Sequence, residues 1–147
     1  MTESMNRFRN YVSLASLLVT NANHYILTEL KRHGVMDLQP AHGDIFSVLF
    51  TQDDLTVTEI AQRTQRTKST ASVLIDKLTQ LGYLTKETSN MDTRAVSVRL
   101  TPKGHALKET FVEISAGLNE KMLSDLTDEE ADQLSVLLAK VAVAVGK

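Results

Sequence analysis

The chain has 147 residues, of which 42% are hydrophobic and 23% charged; this is typical of a globular protein and suits a single domain with its own core. It contains no cysteine, which excludes disulfides, zinc sites built on thiolates and cysteine-based redox switches. No signal peptide is visible and no apolar run approaches the roughly 18 residues of a membrane span, so a cytoplasmic protein without a membrane partner is expected.

The net charge of −2 hides an uneven distribution. Residues 55–104 hold eight lysines and arginines against four acids, a local charge of +4, so the rest of the chain carries −6. A basic centre between acidic ends favours a polyanionic partner. Chance clustering on a solvated surface explains the charge equally well, so charge alone does not separate the two interpretations.

The first predicted element is a long amphipathic helix. Apolar residues recur at helical spacing from Phe8 to Leu30, which predicts a helix over 5–33 that stops at Gly34. Such a helix has roughly 28 residues and a length of about 42 Å. That is longer than the core of a domain of this size needs, and it indicates a partner.

Two shorter helices are predicted next. One follows Pro40 and covers 41–50. The other begins at the Thr-Val-Thr-Glu segment of 56–59, which fits a capping box: the threonine hydroxyl accepts one free amide and the glutamate carboxylate accepts another. This helix is expected to end near Arg63.

A further helix is capped by Thr67 and closed by Gly82. Its apolar positions form one stripe, which consists of Ala71, Leu74, Ile75, Leu78 and Leu81. Its outward face is then polar, apart from one valine, and consists of Lys68, Ser69, Thr70, Ser72, Val73, Asp76 and Lys77.

A short β-ribbon follows. Residues 83–87 are strand-like, and residues 96–100 alternate between apolar and polar side chains as a strand does. Asp92 and Arg94 lie in the turn between them. The apolar side of the ribbon is expected to pack on the core and leave the tip free to reach outward.

The chain then returns to helix. Thr101 and Pro102 suit a helix start, and this helix is expected to run to about Ser124. A second capping box, at 127–130, begins a terminal amphipathic helix. The predicted fold class is therefore mainly α with a small β-hairpin.

Two short helices joined by a tight turn and followed by a ribbon form a winged helix-turn-helix. The second helix of such a unit fits the major groove of DNA, where base edges present distinguishable donors and acceptors. The ribbon, or wing, reaches the narrow, electronegative minor groove, which suits Arg94. Each feature alone is weak, because a Ser/Thr-rich helix start is usually only a cap. Their order and spacing together indicate DNA binding.

Residues 55–104 resemble the DNA-binding core of the MarR family of transcriptional regulators. The matching parts read TEIA, then KSTAS, LIDKL and LGYL, then DTRAVSVRLTPKG. The flanking segments LQPAHGDIFSVL and LTDEEADQLSVLLAKV are also similar to the family. The resemblance covers nearly all of the chain and is weakest over residues 1–30.

The resemblance implies one domain over 1–147, with a winged helix-turn-helix at 40–100, a wing at 83–100, and dimerisation helices mainly at 5–33 and 101–147. It implies a homodimer on a roughly palindromic double-stranded DNA operator, usually a repressor, without enzymatic activity or cofactor. Arg94 would enter the minor groove, with Asp92 as its support. The expected DNA-binding residues are Arg66, Thr67, Lys68, Ser69, Thr70, Ser72, Val73, Lys77, Asp92 and Arg94.

Val73 departs from the family pattern. Many members have arginine at this place in the recognition helix, where it can pair bidentately with guanine, whereas valine reaches at most a thymine methyl. We hypothesise that this chain depends less on a guanine at that position and more on Lys68, Ser72 and DNA shape.

Members of the family often release DNA when a small, frequently aromatic or anionic effector binds between the dimerisation helices and the winged unit. Nothing in this sequence names the effector. The candidate lining residues are His24, Tyr25, His33, Met36, His42 and Phe46. For each of these residues alone, an ordinary place in the core or on the surface is the favoured interpretation.

Three other interpretations stay open with less support. A metal-responsive regulator could use His105 and Glu109, four residues apart on one predicted helix, together with His42, although no metal site is assigned. A winged helix used for protein contact would need a neutral or apolar recognition face. An enzyme would need a Gly-rich phosphate loop or a nucleophile–base arrangement, and neither is visible.

Overall fold

The computed structural model describes residues 2–88 and 96–147, with side chains from Asn10 onward. The chain divides into two compact units, 1–114 and 115–147. None of the described helices is long and apolar enough to cross a membrane. The elements in chain order are α1 (Thr2–Arg32), α2 (Pro40–Thr51), β1 (Leu55–Thr56), α3 (Val57–Arg63), α4 (Lys68–Gln80), β2 (Leu84–Thr88), β3 (Val96–Leu100), α5 (Pro102–His105), α6 (Lys108–Leu123) and α7 (Asp128–Val145).

Helix α1 has 31 residues and ends where the sequence predicts. Gly34 adopts φ +80°, a left-handed conformation that glycine tolerates without strain. The amides of Gly34 and Val35 donate to the carbonyls of Lys31 and Leu30 at 3.0 and 2.8 Å. These bonds satisfy carbonyls that the last turn of a helix would otherwise leave without donors.

The caps of the helix-turn-helix are also those that the sequence predicts. The Thr56 hydroxyl accepts the Glu59 amide at 3.1 Å, and the Glu59 carboxylate accepts the Thr56 amide at 3.1 Å. The Thr67 hydroxyl accepts the Thr70 amide at 3.2 Å at the start of α4. Gln65, with φ 54°, turns the chain between the two helices.

The predicted apolar stripe of α4 faces the core. Ala71, Ile75 and Leu78 are 0% exposed, and Leu74 and Leu81 are partly buried against the same core. Because this face is fixed by apolar burial, the opposite face of α4 is held toward solvent.

The sheet has three antiparallel strands in the order β1–β3–β2. The predicted hairpin is confirmed: in β3 the side chains of Val98 and Leu100 are buried, and Ser97 and Arg99 lie on the other face. The third strand, β1, was not predicted. Its two residues, Leu55 and Thr56, pair with Val98 and Ser97 of β3.

The predicted single helix from Thr101 to about Ser124 is wrong, because the chain turns at Ala106 and Leu107 between α5 and α6. Gly104 packs α5 tightly on the sheet, where an added Cβ would lie 2.4 Å from the Tyr83 carbonyl oxygen. The Leu107 amide then bonds to the Gly104 carbonyl at 3.2 Å in a tight turn before α6 begins.

The core of the first unit is centred on Phe46 of α2. Its ring is fully buried and lies 5.7, 5.6 and 5.1 Å from the ring centroids of Phe50, Tyr83 and Phe111. The cluster therefore joins α2 to the start of the wing and to α6, and its tilted and edge-on pairings are those that aromatic rings prefer.

The second unit contains the end of α6 and all of α7. The predicted capping box at Thr127 is confirmed. The Thr127 hydroxyl accepts the Glu130 amide at 3.1 Å, and the Glu130 carboxylate accepts the Thr127 amide at 2.9 Å. Helix α7 has no buried residue. Its large exposed apolar side chains are Leu134, Val136, Leu137, Leu138, Val141, Val143 and Val145.

We expect Phe46→Ala to lower the free energy of unfolding by about 3–5 kcal/mol, because the variant loses the buried ring and leaves a cavity among three others. Chemical denaturation at one fixed protein concentration measures this. Val73→Ala is the control, since Val73 is 69% exposed and its truncation should cost less than about 0.5 kcal/mol. A loss below about 1 kcal/mol for Phe46→Ala would show that the cluster is not central to stability.

Candidate nucleic-acid interface

The exposed face of α4 carries most of the residues expected to contact DNA. Lys68, Ser69 and Thr70 are exposed in its first turn, and Lys77 is exposed two turns later. Val73 lies between them and is 69% exposed, whereas Ser72 is half-buried. One helix face thus presents two cations and small hydroxyls around a single apolar side chain.

The two threonines at the start of α4 are partly occupied by capping. The Thr67 hydroxyl accepts the Thr70 amide and donates to the Thr70 hydroxyl at 3.0 Å. Thr67 therefore acts as a cap in this structure. Lys68 and Ser69 make no side-chain hydrogen bond or ion pair with the described residues, and they leave donors available for an external partner.

Arg66 is less available than the sequence suggests. Its side chain is 22% exposed, and its Nη1 lies 2.9 Å from the Asp44 carboxylate of α2. That nitrogen is buried and is not aligned for a hydrogen bond with any acceptor in the described part of the chain. The guanidinium is therefore held toward α2, and its contact with DNA stays a prediction.

The exposed end of α4 faces the wing across an open groove. Val73, Asp76, Lys77 and Lys86 are among the residues that line this groove, whose volume is about 580 Å³. Lys86 of β2 forms an ion pair with Asp76 of α4. This pair fastens β2 to α4 and neutralises Asp76, the acid on the exposed face of α4.

The wing residues Asp92 and Arg94 lie outside the described residues, which end at Thr88 and resume at Val96. The structure does describe the base of the wing, and there it shows two residues that the sequence reading missed. Asp53 and Asp54, in the turn between α2 and β1, both bind β3. The only local signal was a polar break after α2.

Comparison with known proteins supports the same reading. The MarR family model matches residues 36–95. The chain is 26% identical to the HTH-type transcriptional regulator YkoM of Bacillus subtilis over 96% of this chain and 90% of that protein. It is 28% identical to the HTH-type transcriptional repressor MdtR of the same organism over 86% of this chain and 69% of that protein. The S. aureus MepR–DNA complex superposes with a TM-score of 0.83 at 26% identity, covering 91% of this chain and 97% of that one.

The chain is similar to members of the MarR family. Its mainly helical fold with a small sheet is the one expected from the resemblance. The matched residues 36–95 run from the start of α2 almost to β3, so the match is centred on the helix-turn-helix.

The six effector candidates do not share one environment. Phe46 is fully buried in the aromatic cluster and Tyr25 is partly buried, whereas Met36 is 75% exposed and His24 is exposed. The six residues therefore give no direct outline of a ligand site.

His42 is a capping residue within the core. It is 5% exposed, and its Nδ1 accepts the Gln39 amide at 3.0 Å at the start of α2. Burial and then the positive charge of Lys77 lower the pKa of His42, while Asp37 acts in the opposite direction. The neutral ring is the form that can accept the Gln39 amide.

The metal hypothesis loses its geometric basis. His105 is the last residue of α5 and Glu109 lies in the first turn of α6, so the two do not share one helix face as predicted. His105 Nε2 instead lies 3.2 Å from the Asp53 carboxylate. Within residues 2–88 and 96–147, no three His, Asp or Glu side chains are grouped as metal ligands.

His33 bridges two acceptors just after α1. Its Nδ1 lies 2.8 Å from the Glu29 carbonyl and its Nε2 lies 3.1 Å from the Glu113 carboxylate of α6. Only the doubly protonated ring can donate to both. The Glu29 hydrogen bond, and then the one to Glu113, raise the pKa of His33 above 6.5.

We expect His33 to stabilise the protein at acidic but not at alkaline pH. A raised pKa in the folded state gives stability that is complete below the unfolded pKa and is lost as the pH rises through the folded pKa. The stability difference between wild type and His33→Gln should therefore shrink on going from about pH 5.5 to about pH 8.5. An NMR titration of the ring should give a midpoint that Glu113→Gln lowers; an unchanged midpoint would remove Glu113 from the bridge.

Proposed function

We propose that this chain is a sequence-specific DNA-binding transcriptional regulator that acts as a homodimer, most plainly as a repressor. The observation that carries the proposal is the exposed face of α4, which presents Lys68, Ser69 and Lys77 beside a wing. Support also comes from the fold, which is shared with S. aureus MepR, a protein crystallised as a complex with DNA.

Helix α4 has the shape and chemistry of a recognition helix. An α-helix fits the major groove, and lysine there donates to guanine O6 and N7 or to phosphate. The free amides at the helix start favour a nearby phosphate. A helix used for protein contact would instead present an apolar face, and α4 presents only Val73 as a fully exposed apolar residue.

The wing supplies the second contact. By resemblance, Arg94 enters the flanking minor groove and Asp92 supports it. Strand β2, which leads into this segment, lies beside α4, because Lys86 of β2 is paired with Asp76. One subunit thus addresses a major groove and the adjacent minor groove, which together make up a half-site.

A homodimer is supported by uncovered apolar surface on the terminal helices. Helix α1 exposes Tyr11, Val12, Leu14, Leu17, Leu18 and Val19, and α7 exposes a comparable set. Contiguous apolar patches of this kind mark interfaces on soluble proteins. A two-fold dimer places two recognition helices on a palindromic operator.

The proposal includes release of DNA when a small-molecule effector binds, as the resemblance to the family implies. The open groove beside α4 offers surface to a small molecule, but its lining does not indicate which one. The effector therefore enters as an unknown ligand that lowers the affinity of the dimer for its operator.

The experiment that tests this function is selection of operators from random DNA by the purified protein, followed by binding measurements. We expect two inverted half-sites about one helical turn apart. Affinity should fall steeply with salt, because lysine and arginine contacts release counterions. Arg94→Ala should lower the affinity by about 1–3 kcal/mol, since it removes the minor-groove contact.

Arg32→Ala is the matched control. Arg32 is an exposed arginine of α1 that pairs with Glu29 at 2.9 Å, far along the chain from α4 and the wing. Its loss should change operator affinity by less than about twofold. Equal effects of the two substitutions would mean that the wing has no specific role, and failure to enrich any palindrome would contradict the proposed function.

Val73 should make the recognition helix indifferent to guanine at its position. The side chain is 69% exposed and can offer only methyl groups to a base edge. Val73→Arg should introduce a guanine preference of about 1–3 kcal/mol in the selected operators. The hypothesis fails if wild type selects a strict guanine whose selection Val73→Ala abolishes.

A further inference from the structure

Asp54 reaches from the turn before β1 to the outer face of β3. Its Oδ1 accepts the Ser97 hydroxyl at 2.7 Å, and its Oδ2 accepts Nη2 of Arg99 at 3.0 Å. These partners lie 43 and 45 residues later in the chain. One carboxylate therefore holds two successive outward side chains of the central strand.

The opposite face of β3 is held by the core. Val98 is 0% exposed and Leu100 is 6% exposed, and both belong to the apolar cluster of the first unit. Strand β3 is thus fixed by apolar burial on one face and by Asp54 on the other. Its rotation about its own axis is restricted from both sides.

Asp53 completes the attachment. Strand β1 has only two residues and does not extend far enough to pair with Leu100, so the Asp53 carboxylate accepts the Leu100 amide at 3.0 Å in place of a strand carbonyl. The same oxygen accepts the Asp54 amide at 3.0 Å. This bond fixes the turn that carries Asp54.

The backbone of Asp54 is held in an uncommon conformation. Its φ of 67° lies in the left-handed region, which only glycine, asparagine and aspartate visit routinely. This conformation directs the carboxylate to β3. The hydrogen bond from Arg99, and then that from Ser97, lower the pKa of the Asp54 carboxyl, so the group stays ionised well into the acidic range.

We propose that Asp54 is a positioning residue for DNA binding: it orients β3, the second strand of the wing, and the proposed DNA contact of Arg94 depends on that strand. The inference rests on the proposed function and names a residue that acts without touching DNA. A carboxylate beside a polyanion would only repel it. The value of Asp54 to binding therefore lies in the strand that it holds.

The test is a double-mutant cycle on a selected operator, with wild type, Asp54→Gly, Arg94→Ala and the double variant. Glycine is chosen because it adopts φ 67° without strain. Asp54→Gly should lower affinity on the order of fivefold. The double variant should bind no more weakly than Arg94→Ala alone. In Arg94→Ala the wing contact is already absent, so displacing the wing removes no further contact.

Footprinting separates positioning from general damage. Asp54→Gly should lose hydroxyl-radical protection in the flanking minor groove and keep the protections made by α4. Asp54→Asn should lie between Asp54→Gly and wild type, since asparagine tolerates the same backbone and still accepts the Ser97 hydroxyl. Glu29→Gln, which removes the ion pair with Arg32, is the control and should bind as wild type does.

Several results would overturn the proposal. Losses that multiply in the double variant would place Asp54 outside the action of the wing, and wild-type affinity of Asp54→Gly or of Arg94→Ala would remove the positioning role altogether. If Asp54→Gly does not fold, Arg99→Gln replaces it in the test. Arg99 is half-exposed on β3, its substitution breaks the same contact, and the same results are expected. If wild type selects no operator, the proposed function fails together with this inference.

Discussion

The position of Tyr83 between the recognition helix and the wing is the constraint on which the site depends. Its ring meets Phe46 edge-on at 5.6 Å, and its hydroxyl donates to the Asp37 carboxylate at 2.8 Å. Burial, and then that hydrogen bond, raise the pKa of Tyr83 to about 12, so the hydroxyl stays protonated and continues to donate. Lys103 of α5 lies 4.3 Å from the ring centroid and donates to the Leu81 carbonyl at 2.7 Å. One residue thus ties the turn after α1, the end of α4 and the helix that follows β3 into a single frame.

Much of the positive charge in this frame holds the protein together. Arg66, Lys86 and Arg99 pair with Asp44, Asp76 and Asp54, and each pair joins two different elements. The Lys86 and Arg99 pairs are exposed enough to contribute little to stability individually. The effect of the three pairs is geometric, because they fix how the wing strands and α2 lie against α3 and α4. The local charge of +4 therefore overstates what is available to DNA. On α4, Lys68 and Lys77 are the lysines that form no ion pair within the described residues.

The sequence predicted what local rules determine. The caps at Thr56, Thr67 and Thr127, the glycine stop after α1 and the buried stripe of α4 each follow from residues within a few positions of one another. The Asp54–Arg99 contact, by contrast, joins residues 45 apart, and β1 exists only because β3 is beside it. Arg66 illustrates the same limit: its type suits DNA, but its partner Asp44 comes from another helix. The proposed role of Arg94 rests on the sequence and the family resemblance alone, since Arg94 lies outside the described residues.

The length of α1 bears on the proposed dimer. Its 31 residues rise about 46 Å. Of its side chains from Asn10 onward, those that belong to the core of the first unit lie in the C-terminal part, at Tyr25, Ile26 and Leu30. The preceding turns expose apolar side chains that a second subunit would cover. A continuous helix transmits a tilt along its whole length, and His33 joins its end to α6 through Glu113. In the proposed dimer, a ligand that changed how the two subunits meet would therefore also move the core that supports α4, without contacting α4 itself.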